Sequence, residues 1–460
     1  MLAMCVVLSC WLRPLPWSAT AADADHLGAL RLATFVADVT PPLGHPLMGG
    51  GVAEAREVVD PLEARGLVLL GDGLPLVLVG IDWCEIRNDS YAAWRDALAA
   101  AAGTRPQRVM LAALHQHDAP ITDLAAQRLL AEAGVVPGLC DETFHARAVE
   151  RVATALRAAL PGARPLTHVG LGQAPVDRVA STRRVLGPDG RVEFIRNSAS
   201  TAEGFAYPEG QIDPLLRTVT FYEDTQPLAS LHVYAVHPMS YYGQGGISAD
   251  FVGMARARRQ RDVPEALQLY FTGCGANVTA GKYNDGSREN RPVLADRLYR
   301  AMVAADAASR REAVDTATFR LAQLRLDPRE DPGYREADQR AILADAAPRG
   351  FERNRAALGL SFRQRVARDE PLDVPSLELG SLVVVLLPGE TFVEYQLAAQ
   401  RLRPDRFVVT LGYGDAAGGY LPPDRAFEEG GGDLADWCWV APPVEPRLTS
   451  ALREALGLGE

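Results

Sequence analysis

Val109-Met110-Leu111-Ala112-Ala113-Leu114-His115-Gln116-His117-Asp118 is a short apolar run that ends abruptly in two histidines. Six consecutive apolar residues after a helix-like segment read as a buried strand, Val109–Leu114. A strand that stops at His115 delivers polar side chains to its carboxyl end, where open α/β sheets gather their ligands. In extended backbone, side chains two apart point to the same side, so His115 and His117 are expected to face one point in space.

The same position type recurs elsewhere. His237 follows the apolar run Ala229–Val236. Glu390 follows Leu382–Leu387 and a Pro388-Gly389 turn, and is expected to open a helix. Tyr420 closes the Gly-rich stretch Gly412–Tyr420 that follows Arg406–Leu411. Singly, each has an ordinary explanation: a surface histidine pair, a turn residue before Pro238, a helix-start carboxylate favoured by the dipole, and a loop aromatic. Together, two imidazoles, one carboxylate and one phenol form a donor set suited to Zn²⁺ with a coordination position left for water.

The rest of the chain reads as alternating strands and helices with some hairpins. Leu67–Leu70 and Leu74–Ile81 flank Gly71-Asp72-Gly73, and Leu377–Leu379 and Leu382–Leu387 flank Gly380-Ser381; both are hairpin signals. Helices are expected over Tyr91–Ala102, Asp123–Ala133, Thr143–Ala159 with Asp141 as N-cap, Phe251–Arg259, Arg291–Ala308, Pro332–Ala357, Thr391–Leu402 and Glu445–Leu456. Further strands are expected at Thr167–Leu171, Leu216–Tyr222, Ala266–Phe271 and Ala317–Leu326. Val176–Pro214 reads as a long loop with a small hairpin at Pro188-Asp189-Gly190. The class is α/β: a mixed β-sheet core flanked by helices, with the metal site at strand carboxyl ends. No fixed-period repeat is visible, and residues 30–456 read as one catalytic unit.

Bulk properties narrow the partners. The 460 residues are 48% hydrophobic and 23% charged, with a net charge of −11. That is a globular composition with no basic patch, which argues against nucleic acid and against electrostatic docking on an anionic membrane. Residues 1–22, with an apolar run to Leu12 and small residues around Ala21, read as a secretory signal peptide, although no Lys or Arg precedes the run. No later stretch is apolar enough to span a membrane. Beyond that segment, Cys84, Cys140, Cys274 and Cys438 lack CxxC spacing; they are as compatible with buried thiols as with one or two disulfides.

Several segments, in order, carry a resemblance. Ala37-Asp38-Val39-Thr40-Pro41-Pro42-Leu43-Gly44, Asp60-Pro61-Leu62-Glu63-Ala64-Arg65, Leu114-His115-Gln116-His117-Asp118-Ala119-Pro120, Val236-His237-Pro238 with Ile247-Ser248-Ala249-Asp250, Gly275-Ala276-Asn277-Val278-Thr279, Leu387-Pro388-Gly389-Glu390 and Gly419-Tyr420 are similar to successive motifs of the neutral/alkaline non-lysosomal ceramidases. The likeness runs over most of the chain and is to the N-terminal catalytic domain of that family. The resemblance implies zinc held by His115, His237, Glu390 and Tyr420. It implies His117 facing the substrate to assist the oxyanion or leaving group, and Arg183 contacting the reacting amide.

The implied activity is hydrolysis of a linear amide, N-acylsphingosine to sphingosine and fatty acid, by a secreted or periplasmic enzyme. Its substrate would be a small-molecule or lipid amide, met through at most a transient contact with a lipid surface. Some positions depart from the pattern. Gln116, Asp118 and Ala119 replace Thr, Ser and Gly, Thr279 stands in place of a serine, and no counterpart of the family's C-terminal β-domain is expected. These departures leave the ligand set intact and bear on the substrate: one alternative is a secreted zinc amidase or esterase acting on a non-sphingolipid substrate, and another is a non-catalytic metal-binding member, against which the retention of all four ligand types in order argues.

Overall fold

The computed structural model describes residues 25–199, 201–345, 347 and 350–459. The signal-like segment 1–22 lies outside them. Fifteen strands build three five-stranded sheets of one design. The first unit comprises β1 (Asp25–Gly28), β2 (Arg31–Asp38), β3 (Glu63–Leu70), β4 (Leu76–Ile81), helix α1 (Asn88–Ala102), β5 (Val109–Ala113) and α2 (Glu142–Ala159). The second comprises β6 (Arg164–Pro165), β7 (His168–Pro175), β8 (Leu215–Glu223), β9 (Gln226–Tyr234), α3 (Asp250–Asp262), β10 (Leu267–Thr272) and α4 (Asn290–Ala307). The third comprises β11 (Arg310–Ala313), β12 (Thr316–Leu324), β13 (Leu372–Leu379), β14 (Leu382–Leu386), α5 (Val393–Leu402), β15 (Phe407–Leu411) and α6 (Glu445–Ala455).

In each unit three strands run antiparallel, and a helical crossover then brings in a parallel edge strand: β4 with β5, β9 with β10, β14 with β15. The parallel step is the reason for the helix, since parallel neighbours need a long connection. The fifth position of each sheet is filled from a neighbouring unit. β6 pairs with β2, β11 with β7, and β1 with β12. Each unit thus hands its first strand to the sheet before it, and the N-terminal β1 closes the ring on the third sheet. A threefold internal repeat is therefore present, where the sequence shows no repeat.

Period-two alternation explains how the sheets stack. Along β4, Leu76 and Leu78 enter a central core shared by all three sheets, whereas Val77, Val79 and Ile81 enter an outer core under the helices. β14 does the same, with Leu382, Val384 and Leu386 inward and Val383 and Val385 outward. Each fully buried Leu or Val in these rows contributes about 1.5–3 kcal/mol, and both faces of every sheet are covered.

The expected hairpins, the N-cap at Asp141 and the small hairpin after Arg184 are all present, and Asp123 caps its helix rather than beginning it. Two expectations need correction. Pro332–Ala357 is not one helix but two, Glu336–Ala344 and Gly350–Ala367, and Asp345, at φ −68° and ψ 120°, turns to extended backbone at the end of the first. Glu390 does not open a helix. Glu390–Thr391 forms a two-residue parallel pairing with Tyr420–Leu421, and α5 starts at Val393. The four cysteines among the described residues are buried free thiols.

Units one and two are tied by a buried ion pair. Arg256 on α3 donates from Nη1 and Nη2 to both oxygens of Asp82, at 2.7 and 2.6 Å, just past β4. Arg256→Met would leave Asp82 buried without its charge partner. The expected cost is about 3–5 kcal/mol, read as a lowered midpoint in urea unfolding; a midpoint within error of wild type would contradict it.

Candidate metal centre

The strands β4, β9 and β14 each run on into a short parallel pairing: Glu85 opposite Ile121, His237 opposite Thr279, Glu390 opposite Tyr420. The three leading residues lie about 150 residues apart in sequence, one per unit. His115 enters from the end of β5. These elements bring His115, His237 and Glu390 together in the interior, each no more than 2% exposed.

The donor geometry is tight. His115 Nε2 lies 3.0 Å from His237 Nε2 and 3.0 Å from Glu390 Oε2, and His237 Nε2 lies 3.3 Å from the same oxygen. Ligands of a tetrahedral zinc at 2.0–2.1 Å are separated by about 3.3 Å. The far nitrogen of each ring is paired with a carbonyl: His115 Nδ1 with Cys84 O at 2.9 Å and His237 Nδ1 with Gly275 O at 2.7 Å. A carbonyl only accepts, so each Nδ1 carries the hydrogen and each Nε2 is left to face its neighbours, the arrangement of metal-ligating histidines. Glu390 Oε2 is buried with no hydrogen bond of acceptable geometry, although two ring nitrogens are close. The three atoms thus crowd together at the spacing of ligands around one ion.

Electrostatics agree with a missing positive charge. Burial works against charge on His115, but Glu390 outweighs it and the His115 pKa is raised. Burial pushes His237 down to about 4, so it is neutral near pH 7. Burial would raise Glu390, but His115 and His237 hold it well below the usual carboxylate range. A proton on His115 or a metal cation can fill the gap. The residues present fit a divalent ion.

The other expected site residues border the same cavity, of about 420 Å³. Tyr420 lies beside Glu390 in register, and Arg183 Nη1 donates to its hydroxyl at 2.6 Å. Burial raises the Tyr420 pKa while Arg183 opposes it. For Arg183 itself, desolvation is outweighed by Tyr420, Asp433 and Glu390, so its charge is secure. His117 has its Nδ1 unpartnered and its ring edge-on to Tyr242 at 4.8 Å. Burial, then His115 and His237, hold its pKa well below 6.5. A donor atom of His117 also lies within 4.8 Å of those of His115 and His237, a wider second grouping.

The two histidines of the pair do converge, with ring centroids 5.6 Å apart, but not through strand alternation. His115 has φ of +73° and lies beyond β5, so a left-handed turn, not extended backbone, aims its ring. Thr279 is buried, and its hydroxyl bonds to Asn197 O at 3.2 Å; it does not line the cavity.

Several neighbours were not singled out from sequence. Tyr413 stacks on His115 at 4.2 Å, and its hydroxyl lies 3.4 Å from His237 Nδ1. Glu85 brings a carboxylate within 4.8 Å of the donor atoms of His115 and Glu390. Phe351, Trp437 and Tyr242 line the cavity. Glu85 carries the signal that marks the others, a polar residue just past an apolar strand.

Fold and site together define a three-sheet α/β protein with a buried two-histidine, one-carboxylate centre at strand ends. No sequence-family profile and no curated protein matches the chain. Solved structures do: the chain is similar to a ceramidase described as complexed with C2, at 17% identity and a TM-score of 0.66, over 94% of this chain and 75% of that one. It is also similar to the neutral ceramidase from Pseudomonas aeruginosa, at 17% identity and a TM-score of 0.59, over 86% of this chain and 69% of that one. The fold is the neutral-ceramidase fold that the sequence motifs lead one to expect. No helix among the described residues is long and apolar enough to cross a membrane.

Zinc content measured by mass spectrometry is expected to be one ion per chain, lost on dialysis against chelator and lost in His115→Ala. Stoichiometric zinc retained by a His115→Ala, Glu390→Ala double variant would overturn the donor assignment.

Proposed function

We propose that the protein is a zinc-dependent hydrolase of a linear amide bond, working in the manner of a neutral ceramidase. The observation that carries this reading is the triangle of buried donors, with sides of 3.0, 3.0 and 3.3 Å, opening on a cavity. His115, His237 and Glu390 would hold the ion, with Tyr420 as the fourth donor. Zinc bound there would supply a water of lowered pKa and polarise the acyl oxygen.

The remaining chemistry belongs to the chain. Arg183 stays charged and points into the cavity beside Tyr420, where it can stabilise negative charge growing on the acyl oxygen. His117 is held neutral and keeps an unpartnered ring nitrogen, so it can take a proton from the attacking water and pass it to the leaving amine. No covalent acyl-enzyme is invoked, since the hydroxyl of Thr279 is committed to Asn197. N-acylsphingosine is the substrate that the ceramidase likeness suggests. The limited cavity volume favours the second reading, a smaller non-sphingolipid amide.

The test is hydrolysis of N-acylsphingosine and of short-chain amides by the zinc-loaded protein, with and without chelator. Activity is expected to vanish with chelator and return with zinc. Arg183→Ala is expected to keep its zinc and lose about 10²–10³ in kcat, the size of one lost oxyanion donor. Arg183→Ala turnover equal to wild type would remove Arg183 from the mechanism. A chelator-insensitive rate would sink the metal hydrolase.

A further inference from the structure

Glu85 occupies, in the first unit, the place that His237 and Glu390 hold in the other two, yet its carboxylate is turned to another task. It is fully buried, and both oxygens are committed. Oε2 accepts from Arg87 Nη1 at 2.9 Å, and Oε1 accepts from Trp437 Nε1 at 2.8 Å. Arg87 in turn lies over the rings of Trp437 and Trp439, at 5.6 and 4.5 Å, and donates from Nη2 to Ala417 O at 2.8 Å. Trp437 packs edge-on to Trp439 at 4.9 Å and stacks on Phe351 at 5.9 Å, with 13° between the planes.

The result is an aromatic wall in the lining of the cavity, tied through Glu85 to the neighbourhood of the donor centre. Met48 and Ile121 extend its apolar character. The rim is different in kind: Arg355 and Asp436 form an ion pair there, with Asp436 70% exposed. None of the exposed large hydrophobic side chains among the described residues lines this cavity. A volume of about 420 Å³ lies toward the lower end of the ~300–1,000 Å³ typical of small-ligand pockets.

We propose that Glu85 is a positioning residue that pins the Trp437–Phe351 wall against the donor centre, and that this wall selects amides carrying one aromatic or short alkyl arm rather than a two-chain lipid. The amide part rests on the hydrolase reading above; the wall and its selectivity rest on the cavity alone. A flat ring gains from offset stacking on Phe351 and Trp437. A long alkyl chain would have to leave the cavity across a charged rim, where it finds no apolar surface to cover.

The experiment is calorimetric titration of the whole zinc-loaded protein with N-methylacetamide, N-methylphenylacetamide and N-methyldodecanamide, followed by assay of the corresponding anilides. The phenylacetyl arm is expected to bind about tenfold tighter than the acetyl arm, the scale of one aromatic contact, and the dodecanoyl arm no tighter than the phenylacetyl arm. That phenylacetyl-to-acetyl ratio is expected to collapse in Trp437→Ala and in Phe351→Ala, and to fall severalfold in Trp437→Phe, which keeps a ring but loses the N–H that Glu85 holds. Glu85→Gln, whose single amide oxygen cannot accept from both Arg87 and Trp437, is expected to lower the ratio severalfold as Trp437→Phe does, and an unchanged ratio there would remove Glu85 as the positioning residue.

Tighter binding of the dodecanoyl arm overturns the proposal, as does an unchanged ratio in both Trp437→Ala and Phe351→Ala. The expected binding order with no hydrolysis of any amide leaves the wall standing and removes the hydrolase reading. Hydrolysis with a long-chain preference does the reverse.

Discussion

Three donor atoms converge within 3.0–3.3 Å in the buried interior, and much of the local structure follows from holding them there. Two imidazole lone pairs and a carboxylate oxygen repel one another in a low-dielectric interior unless a proton or a cation sits between them. The arrangement is therefore imposed from outside. The carbonyls of Cys84 and Gly275 fix the ring tautomers, and Tyr413 braces His115 by stacking while its hydroxyl approaches His237. His115 and Tyr413 both adopt left-handed backbone, at φ of +73° and +59°. Such conformations cost of order 1 kcal/mol or more and persist where the surroundings over-determine them. Unit one supplies His115, unit two His237, and unit three Glu390 and Tyr413, so the centre exists only when the ring of sheets is closed.

That closure was the least legible feature in the sequence. The long strands announce themselves, because Leu76–Ile81 and Leu382–Leu386 are unbroken apolar runs with turn residues before them. The helix α2 does so as well, through its cap at Asp141. The swapped strands that join one unit to the next are β1, β6 and β11, of four, two and four residues. Segments that short carry no periodicity, and their pairing is decided by tertiary packing. The repeat was hidden for a related reason. Equivalent positions share little beyond polarity at the first, with Glu85, His237 and Glu390 in one set and Ile121, Thr279 and Tyr420 in the other, so no run of residues recurs in the sequence.

The site was legible by position and less so by conformation. The rule that a polar residue just past an apolar strand faces the carboxyl end of a sheet found His115, His237 and Glu390, and it applies equally to Glu85. It could not foresee that Glu390 would enter a two-residue strand instead of a helix. Nor could it foresee that His115 would turn through a left-handed residue. Both are choices in which a long-range partner, Tyr420 in one case and the Trp83 carbonyl in the other, overrides local preference. The cavity wall had no sequence signature, because Phe351 and Trp437 come from helices far apart in the chain and are brought together only by the fold.

The ring is threefold, yet the site it makes is not, and the difference bears on what the site can do. Three equivalent donor positions used alike would surround an ion evenly and leave no direction for a substrate. Here two of the three, His237 and Glu390, turn to the centre, and His115 completes the triangle from the end of a neighbouring strand. The third, Glu85, also lies within 4.8 Å of the donor atoms of His115 and Glu390, but its two oxygens accept from Arg87 and Trp437. A carboxylate committed to other donors leaves a coordination position free for a ligand that enters from the cavity. The bond from Trp437 that engages Glu85 thus also fixes part of the surface that lines that cavity.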